Sequence, residues 1–245
     1  MTASYPTKLI LAFKSGNRCA LKDCKTELIL NGTGGVSVFG EAAHIYGENE
    51  GSARYNADLN ENLRNEYNNL IYLCPNCHTK IDKQENDYPV DLLFQIKEEH
   101  EKWVNQQMDN GMSEVTFAEL EIASRVIASG NHSTDNEFHI ISPEEKIKKN
   151  NLSQAIRSLI LSGLSRSGEV RDYLSKQAQL DMDFPEKLKN GFKDKYIEMK
   201  KTTDGDALFY GMMKFAENGK ADFAQRAASL AILCHLFEIC EVFEK

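Results

Sequence analysis

The chain has 245 residues, 41% of them hydrophobic, which is enough for two modest domains with buried cores. Its formal net charge is −8, and the charge is evenly spread: residues 1–105 carry 11 Lys and Arg against 15 Asp and Glu, and residues 106–245 carry 18 against 22. Neither half therefore has the basic character typical of a nucleic-acid surface. No segment has the eighteen or more apolar residues of a membrane span, so we expect a cytoplasmic protein without a membrane partner.

The N-terminal third alternates short apolar runs with polar turns. Residues 5–16 predict a helix or an extended lead-in that ends just before the first cysteine pair. Short strands are then predicted at 27–30, 36–39 and 41–45. The following residues, 46–67, are rich in Asn and Glu and lack apolar periodicity, which indicates a loop available for substrate contact.

Four of the six cysteines have metal-ligand spacing. Cys74 and Cys77 form a C-x2-C pair, and Cys19 and Cys24 form a C-x4-C pair. Two close pairs in a cytoplasmic chain favour one structural zinc bound by all four thiolates. Two alternatives are buried free thiols and a zinc site in which His78 replaces one cysteine.

A helix is predicted to begin near the second cysteine pair. His78 and Asp82 are four residues apart on it, so their side chains are expected on one face, as a second metal site. Asp82 as a metal-free surface carboxylate is the alternative. A further amphipathic helix is predicted over 90–104, in which His100, among three glutamates, is expected to be solvated or to pack against another element.

Three stretches resemble one known family. In chain order they are Ala-Ala-His44-Ile and Asn-Asn69-Leu-Ile, both between the cysteine pairs, and Cys-Pro-Asn-Cys-His78, which contains the second pair. This pattern resembles the HNH endonucleases with the ββα-metal fold, in their zinc-stapled branch, and covers roughly the first 105 residues.

The resemblance implies a catalytic role for each matched residue. His44 would be the general base that deprotonates the attacking water, and Asn69 would hold His44 or the adjacent loop. His78, together with Asp82, would bind a catalytic divalent cation, Mg²⁺ or a similar metal. The implied reaction is hydrolysis of DNA phosphodiesters that leaves 5′-phosphate and 3′-hydroxyl ends.

The match to the family pattern is incomplete at one position. Many family members have an acidic or histidine metal ligand directly before the first histidine, where this chain has Ala43. Glu41 is a weaker candidate, because strand alternation places it on the face opposite His44. The nearby basic residues are either a phosphate clamp or a solvated face; they are Arg54, Arg64, Lys80 and Lys83.

The remainder of the chain is predicted to be helical. A helix is expected over 115–128 and a polar linker over 129–136. Further helices are predicted at 143–161, 167–180, 184–201, 204–217 and 220–243. The last is apolar around most of its circumference, so it must be buried in its own bundle or against another chain. These blocks resemble C-terminal domains of effectors in bacterial multi-component defence systems, which implies docking or oligomerisation.

We therefore predict an α+β nuclease module over residues 1–108, a helix and linker over 109–141, and an all-α domain over 142–245. The predicted function is a metal-dependent HNH endonuclease, acting in anti-phage defence and recruited through its helical domain by a protein partner or by self-association. The alternative is a non-catalytic zinc module that binds nucleic acid or protein, which the acidic charge and Ala43 favour.

Overall fold

The computed structural model describes residues 3–32, 35–130, 142–219, 222–239 and 242–243. Most of the predicted linker, from residue 131 onward, lies outside this set. The chain divides into two compact units, Met1–Gln106 and Gln107–Lys245. The division falls inside a long helix.

In its described residues, the first unit combines four short strands with three α-helices and two short 3-10 helices. Its first helix is capped by Ser4, whose Oγ accepts from the Thr7 amide at 3.2 Å, so the lead-in is helical and not extended. The elements are α1 (Tyr5–Lys14), β1 (Ile29–Gly32), β2 (Gly35–Val38), β3 (Glu41–His44), β4 (Leu70–Leu73), α2 (Pro75–Lys83) and α3 (Val90–Ser113).

The strands form two separate antiparallel pairs, β1 with β2 and β3 with β4. In the second pair Glu41 lies opposite Leu73 and His44 lies opposite Leu70. The sequence pattern missed β4, whose four residues are all buried and therefore show no polar alternation. The predicted strand at 41–45 is present as β3, but its partner before α2 is β4, joined across the long loop, and not the predicted strand at 36–39, which is β2 and pairs with β1.

The core of this unit is formed where β3 and β4 meet the helices. Leu11 of α1, Ala43 of β3, Ile71 of β4, Ile81 of α2 and Leu93 of α3 all belong to one buried cluster. Each element therefore contributes one apolar face, and the polar ends of β3 and α2 are left at the surface.

The second unit is helical throughout its described part. Its first helix begins with a capping box in which Thr116 and Glu119 satisfy each other's backbone amides. The helices that follow the end of α3 are α4 (Phe117–Ala128), α5 (Pro143–Lys149), α6 (Gln154–Leu164), α7 (Ser167–Leu180), α8 (Phe184–Met199), α9 (Gly205–Glu217) and α10 (Phe223–Ile239).

Helix α10 is the centre of this unit. Every residue from Arg226 to Phe237 is buried, and the helix packs against α4, α6, α7 and α9. Gly163 permits the close approach of α6, because a Cβ there would lie 2.6 Å from Cys234 Sγ. The all-round apolar sequence of α10 is therefore explained by burial within its own bundle.

The predicted helix at 143–161 is two helices. Asn151 has φ of 51°, a left-handed conformation that asparagine tolerates better than most residues. Ser153 then caps α6 by accepting from the Ile156 amide at 3.4 Å. The local sequence Asn-Asn-Leu-Ser contains both signals for the break.

Apart from these differences in detail, the predicted class is confirmed: a small β/α module is followed by an all-helical unit. In the described part of the chain, the helices lack the combination of length and apolar character needed to cross a membrane.

Candidate active site and metal centre

The four predicted zinc ligands come from a turn after α1 and from the N-terminus of α2. Cys19 and Cys24 lie in a turn closed by the bridge between Arg18 and Glu27, with the Cys19 amide donating to Thr26 O at 2.9 Å. Cys74 is the N-cap of α2, and its Sγ accepts from the Cys77 amide at 3.4 Å. The first turn is held beside β4 by the Ala20 amide, which donates to Tyr72 O at 3.0 Å.

The sulfur atoms have the spacing of a single tetrahedral site. All four Sγ atoms lie within 4.8 Å of one another, and those of Cys24 and Cys74 are 3.9 Å apart. Zn–S bonds of about 2.3 Å place tetrahedral sulfurs roughly 3.8 Å apart. The thiolate donor set and its spacing therefore fit zinc, and His78 is not needed to complete the set.

The thiols differ in acidity because their surroundings differ. Burial raises the pKa of Cys19 to about 11. Burial also acts to raise the pKa of Cys24, but hydrogen bonds from the Thr26 side chain and backbone outweigh it and lower the pKa to about 7. A bound cation favours all four thiolates, so metal binding releases protons.

His44 and Asn69 lie at neighbouring ends of β3 and β4. The Asn69 amide side chain is buried and bonds only to backbone: Oδ1 accepts from the Tyr46 amide, and Nδ2 donates to the carbonyls of Tyr46 and Arg64, each at 2.9 Å. Asn69 thus holds the turn that follows His44. The His44 imidazole itself has another partner, Asn65, whose Oδ1 lies 3.1 Å from His44 Nε2.

His78 lies between two carboxylates. Its Nδ1 is 2.7 Å from Glu41 Oε2, and its Nε2 is 3.3 Å from Asp82 Oδ2. The hydrogen bond to Asp82 raises the pKa of His78; burial acts in the opposite direction, and the bond to Glu41 adds to the rise. The His78–Asp82 contact has the predicted i,i+4 geometry on α2, and Glu41 reaches the same imidazole from β3.

Family models match both units of the chain. Residues 121–244 match C-terminal domain 10 of the ABC-three component (ABC-3C) systems, and residues 19–85 match an HNH endonuclease model. The chain belongs to the ABC-3C C-terminal domain 10 family and carries an HNH endonuclease domain. No curated protein is significantly similar to the chain.

The HNH match covers all four predicted zinc ligands and all three predicted catalytic residues. It begins at the first cysteine and ends two residues after α2, so it includes both cysteine pairs and the residues that carry the resemblance. The ABC-3C match begins inside α4 and runs through α10. Both resemblances inferred from the sequence are confirmed at the level of family.

The side chains of two of the four predicted substrate-binding residues are buried within the HNH domain. The Arg54 side chain is 4% exposed and donates to Asp82 Oδ1 at 2.6 Å and to the carbonyls of His44, Ile45 and Ile81. Arg64 is also 4% exposed, and its guanidinium donates to the carbonyls of Gly47, Asn56 and Leu59. This geometry favours a structural role for both arginines.

The two predicted lysines are exposed. Lys80 and Lys83 lie on α2, and the Lys80 ammonium is 5.5 Å from the centre of the Tyr88 ring. Their side chains are thus accessible to a phosphate backbone, and they follow His78 along the helix by two and five residues.

Asn65 and Lys97 were not identified from the sequence. Lys97 donates to Tyr67 O and Leu70 O, which ties α3 to the start of β4. Asn65 carries no motif, and its position in an Asn-rich loop gave no signal. Only the fold of that loop brings it to His44.

The second predicted metal site is less compact than the first. Within the described residues, the four cysteines are the only group of three or more candidate ligands whose donor atoms all lie within 4.8 Å of one another. Glu41 and Asp82 contact opposite nitrogens of His78. An ion bound by His78 would therefore use one ring nitrogen, with the other donating to a carboxylate, as is usual for metal-bound histidine.

Proposed function

We propose that the chain is a metal-dependent endonuclease that hydrolyses DNA phosphodiester bonds as the effector of a three-component defence system. The observation that carries this proposal is the arrangement inside the matched HNH domain. His44 ends β3, Asn69 holds the turn after it, and His78 stands on α2 directly behind the second cysteine pair.

The chain's own residues supply the acid–base chemistry. His44 takes a proton from a water molecule as the water oxygen attacks phosphorus and the bond to the 3′ oxygen breaks. The products are a 5′-phosphate and a 3′-hydroxyl, the latter protonated from solvent. Lys80 and Lys83 contact phosphates on either side of the cut.

Two metal ions have different tasks in this proposal. Zinc bound by Cys19, Cys24, Cys74 and Cys77 is structural, and the spacing of the four sulfurs supports it. His78, with Asp82 or Glu41, holds Mg²⁺ or another divalent cation. When bound, that cation neutralises charge on the scissile phosphate and on the departing oxygen.

Glu41 is placed to substitute for the metal ligand that many family members have at the position of Ala43. Ala43, where many family members have a ligand, is fully buried in the core. Glu41 is two residues earlier, so it lies on the same face of β3 as Ala43 and is exposed at the end of the strand. Its contact with His78 supports Glu41 as a substitute for the missing ligand, despite its position opposite His44.

The helical unit supplies recruitment in this proposal. The net charge of −8 opposes unaided binding to DNA, and the ABC-3C match implies other proteins of the system. We infer that docking through residues 142–245 brings the nuclease to its substrate. Cleavage by the chain alone at physiological salt should therefore be much slower than cleavage by the assembled system, and equal rates would exclude recruitment.

Plasmid nicking tests the nuclease. Wild type, His44→Ala and His44→Gln are compared with Mg²⁺, Mn²⁺ or Ni²⁺, with and without the other components. Because a general base typically contributes a factor of about 10² to 10⁴, both variants should lose most of the activity while retaining zinc. The glutamine variant is the matched control for packing, since it can still donate to Asn65.

The competing function is a non-catalytic zinc module. The engagement of Asp82 by Arg54 and the presence of alanine at position 43 favour it, because both leave fewer ligands for a second ion. Absence of cleavage by wild type under every metal and with every component would support this alternative. Equal cleavage by wild type and both His44 variants would instead remove His44 from the mechanism.

A further inference from the structure

The His44 imidazole is the first member of a short hydrogen-bonded chain. Its Nε2 lies 3.1 Å from Asn65 Oδ1, and Asn65 Nδ2 in turn donates to Glu48 Oε1 at 3.1 Å. Both partners come from the loop between β3 and β4. Neither residue belongs to the motif that carries the family resemblance.

This chain determines which nitrogen of His44 is protonated. A carboxylate only accepts hydrogen bonds, so Glu48 requires the NH₂ group of Asn65 to face it. Asn65 Oδ1 must then face His44, and a carbonyl oxygen also only accepts. In the neutral imidazole Nε2 therefore bears the hydrogen, and Nδ1 bears the lone pair.

We propose that Asn65, oriented by Glu48, is the positioning residue of His44 and makes Nδ1 the atom that receives the proton from water. This inference rests on the proposed function. Proton transfer converts His44 to an imidazolium with hydrogens on both nitrogens, and the bond from Nε2 to Asn65 Oδ1 is retained and strengthened by the charge.

The two asparagines thus have separate tasks. Asn69 bonds the backbone of Tyr46 and fixes where the turn lies. Asn65 bonds the ring and fixes the tautomer and the angle of the imidazole. The arrangement follows the general pattern in which a third group orients a catalytic base.

Substitution of Asn65 tests its proposed effect on the rate of catalysis. Asn65→Ala should lower kcat by about 10- to 100-fold and leave KM within about twofold, since the group acts on the base and not on binding. The double variant Asn65→Asp with Glu48→Gln keeps an acceptor for Nε2 and a donor-acceptor pair between positions 48 and 65, so it should restore most of kcat. Asn62→Ala, at an exposed position in the same loop, is the matched control and should be unchanged. Equal kcat for Asn65→Ala and Asn62→Ala would overturn the inference.

A second readout does not depend on cleavage. Nitrogen-15 spectra of the neutral His44 ring should show the proton on Nε2 in wild type and in the double variant Asn65→Asp with Glu48→Gln, with a mixture of tautomers in Asn65→Ala. Zinc content and melting temperature confirm folding of each variant. A proton on Nδ1 in wild type would overturn the inference even if the enzyme is active. If wild type does not cleave DNA, the proposed function fails, and the spectra still decide whether Asn65 orients the ring.

Discussion

At the scale of single residues, a titratable side chain of the first unit, His100, is buried for a structural reason. His100 is 2% exposed, although three glutamates surround it in the sequence. Its Nε2 donates to Ser15 O at 2.9 Å, and its Nδ1 accepts from Lys25 Nζ at 2.5 Å. Burial, reinforced by the neighbouring Lys25 ammonium, lowers the pKa of His100 to about 4. His100 thus ties α3 to the region of the first cysteine pair.

This low pKa predicts a pH-dependent stability. Because the unfolded chain protonates His100 near pH 6.5 and the folded chain only near 4, the unfolded state binds more protons between these values. The free energy of unfolding should therefore fall as the pH is lowered through this window, by at most roughly 1.4 kcal/mol per pH unit. Urea denaturation from pH 4.5 to 7 measures the slope.

His100→Gln is the comparison for that measurement. Glutamine can donate to Ser15 O and accept from Lys25 but does not titrate in this range. The free energy of unfolding of His100→Gln should therefore change less steeply with pH than that of wild type. Identical slopes would show that His100 does not differ in protonation between the folded and unfolded states.

At the scale of elements, the cysteine cluster adds a second link, beside the shared apolar core, between short parts of the first unit. The strands β3 and β4 have four residues each, and α2 has nine. The four thiols connect the Cys19–Cys24 turn to the N-terminus of α2, which positions His78 one residue beyond Cys77. A metal here stabilises the site as well as the fold.

Substitution of one ligand tests this role. We expect wild type to bind one zinc per chain and Cys74→Ser to lose it, with loss of order in the HNH domain. Structural zinc sites bind with free energies on the order of 10 kcal/mol, comparable to the stability of a small domain. Metal analysis and thermal unfolding give the result. The control is Cys234→Ala, a substitution in α10, which should leave the zinc content of the protein unchanged. Full zinc content in Cys74→Ser would contradict the four-cysteine site.

At the scale of the whole molecule, the second compact unit extends over Gln107–Lys245 and therefore includes α4. Helix α4, predicted to lie in a connecting region over 109–141, packs against α8 and α10. Leu120 is fully buried, and Ser124 Oγ lies 2.8 Å from Tyr173 Oη. The apolar faces of α8 and α10 that α4 covers would otherwise be exposed to water.

Two fragments test this boundary. Residues 107–245 should unfold cooperatively, whereas residues 142–245, which lack α4, should melt at a lower temperature or aggregate. The reason is the loss of the buried contacts of Leu120, Ala123 and Ile127, since each large apolar side chain contributes about 1.5–3 kcal/mol when buried. Circular dichroism on heating measures the difference, and equal melting of both fragments would place α4 outside the folding unit.

Much of this protein follows from local sequence. The two cysteine pairs predicted a four-thiol cluster because their spacing suits two turns that share one ion. Ser142 and Pro143 predicted the start of α5, and the apolar circumference of α10 predicted its burial. Each cysteine pair, cap and apolar run is recognisable within a single stretch of the chain, so the chain displays it before it folds. The meeting of Cys24 with Cys74, 50 positions away, depends on the fold.

Other features were decided only by tertiary structure, because they depend on residues far apart in the chain. Pairing of β3 with β4 brings Glu41 to His78, 37 positions away, and folding of the intervening loop brings Asn65 to His44, 21 positions away. The same loop turns the guanidinium groups of Arg54 and Arg64 inward, where backbone carbonyls satisfy them. A sequence shows which groups can accept or donate, but the partner each one finds depends on which surfaces the packed core brings together.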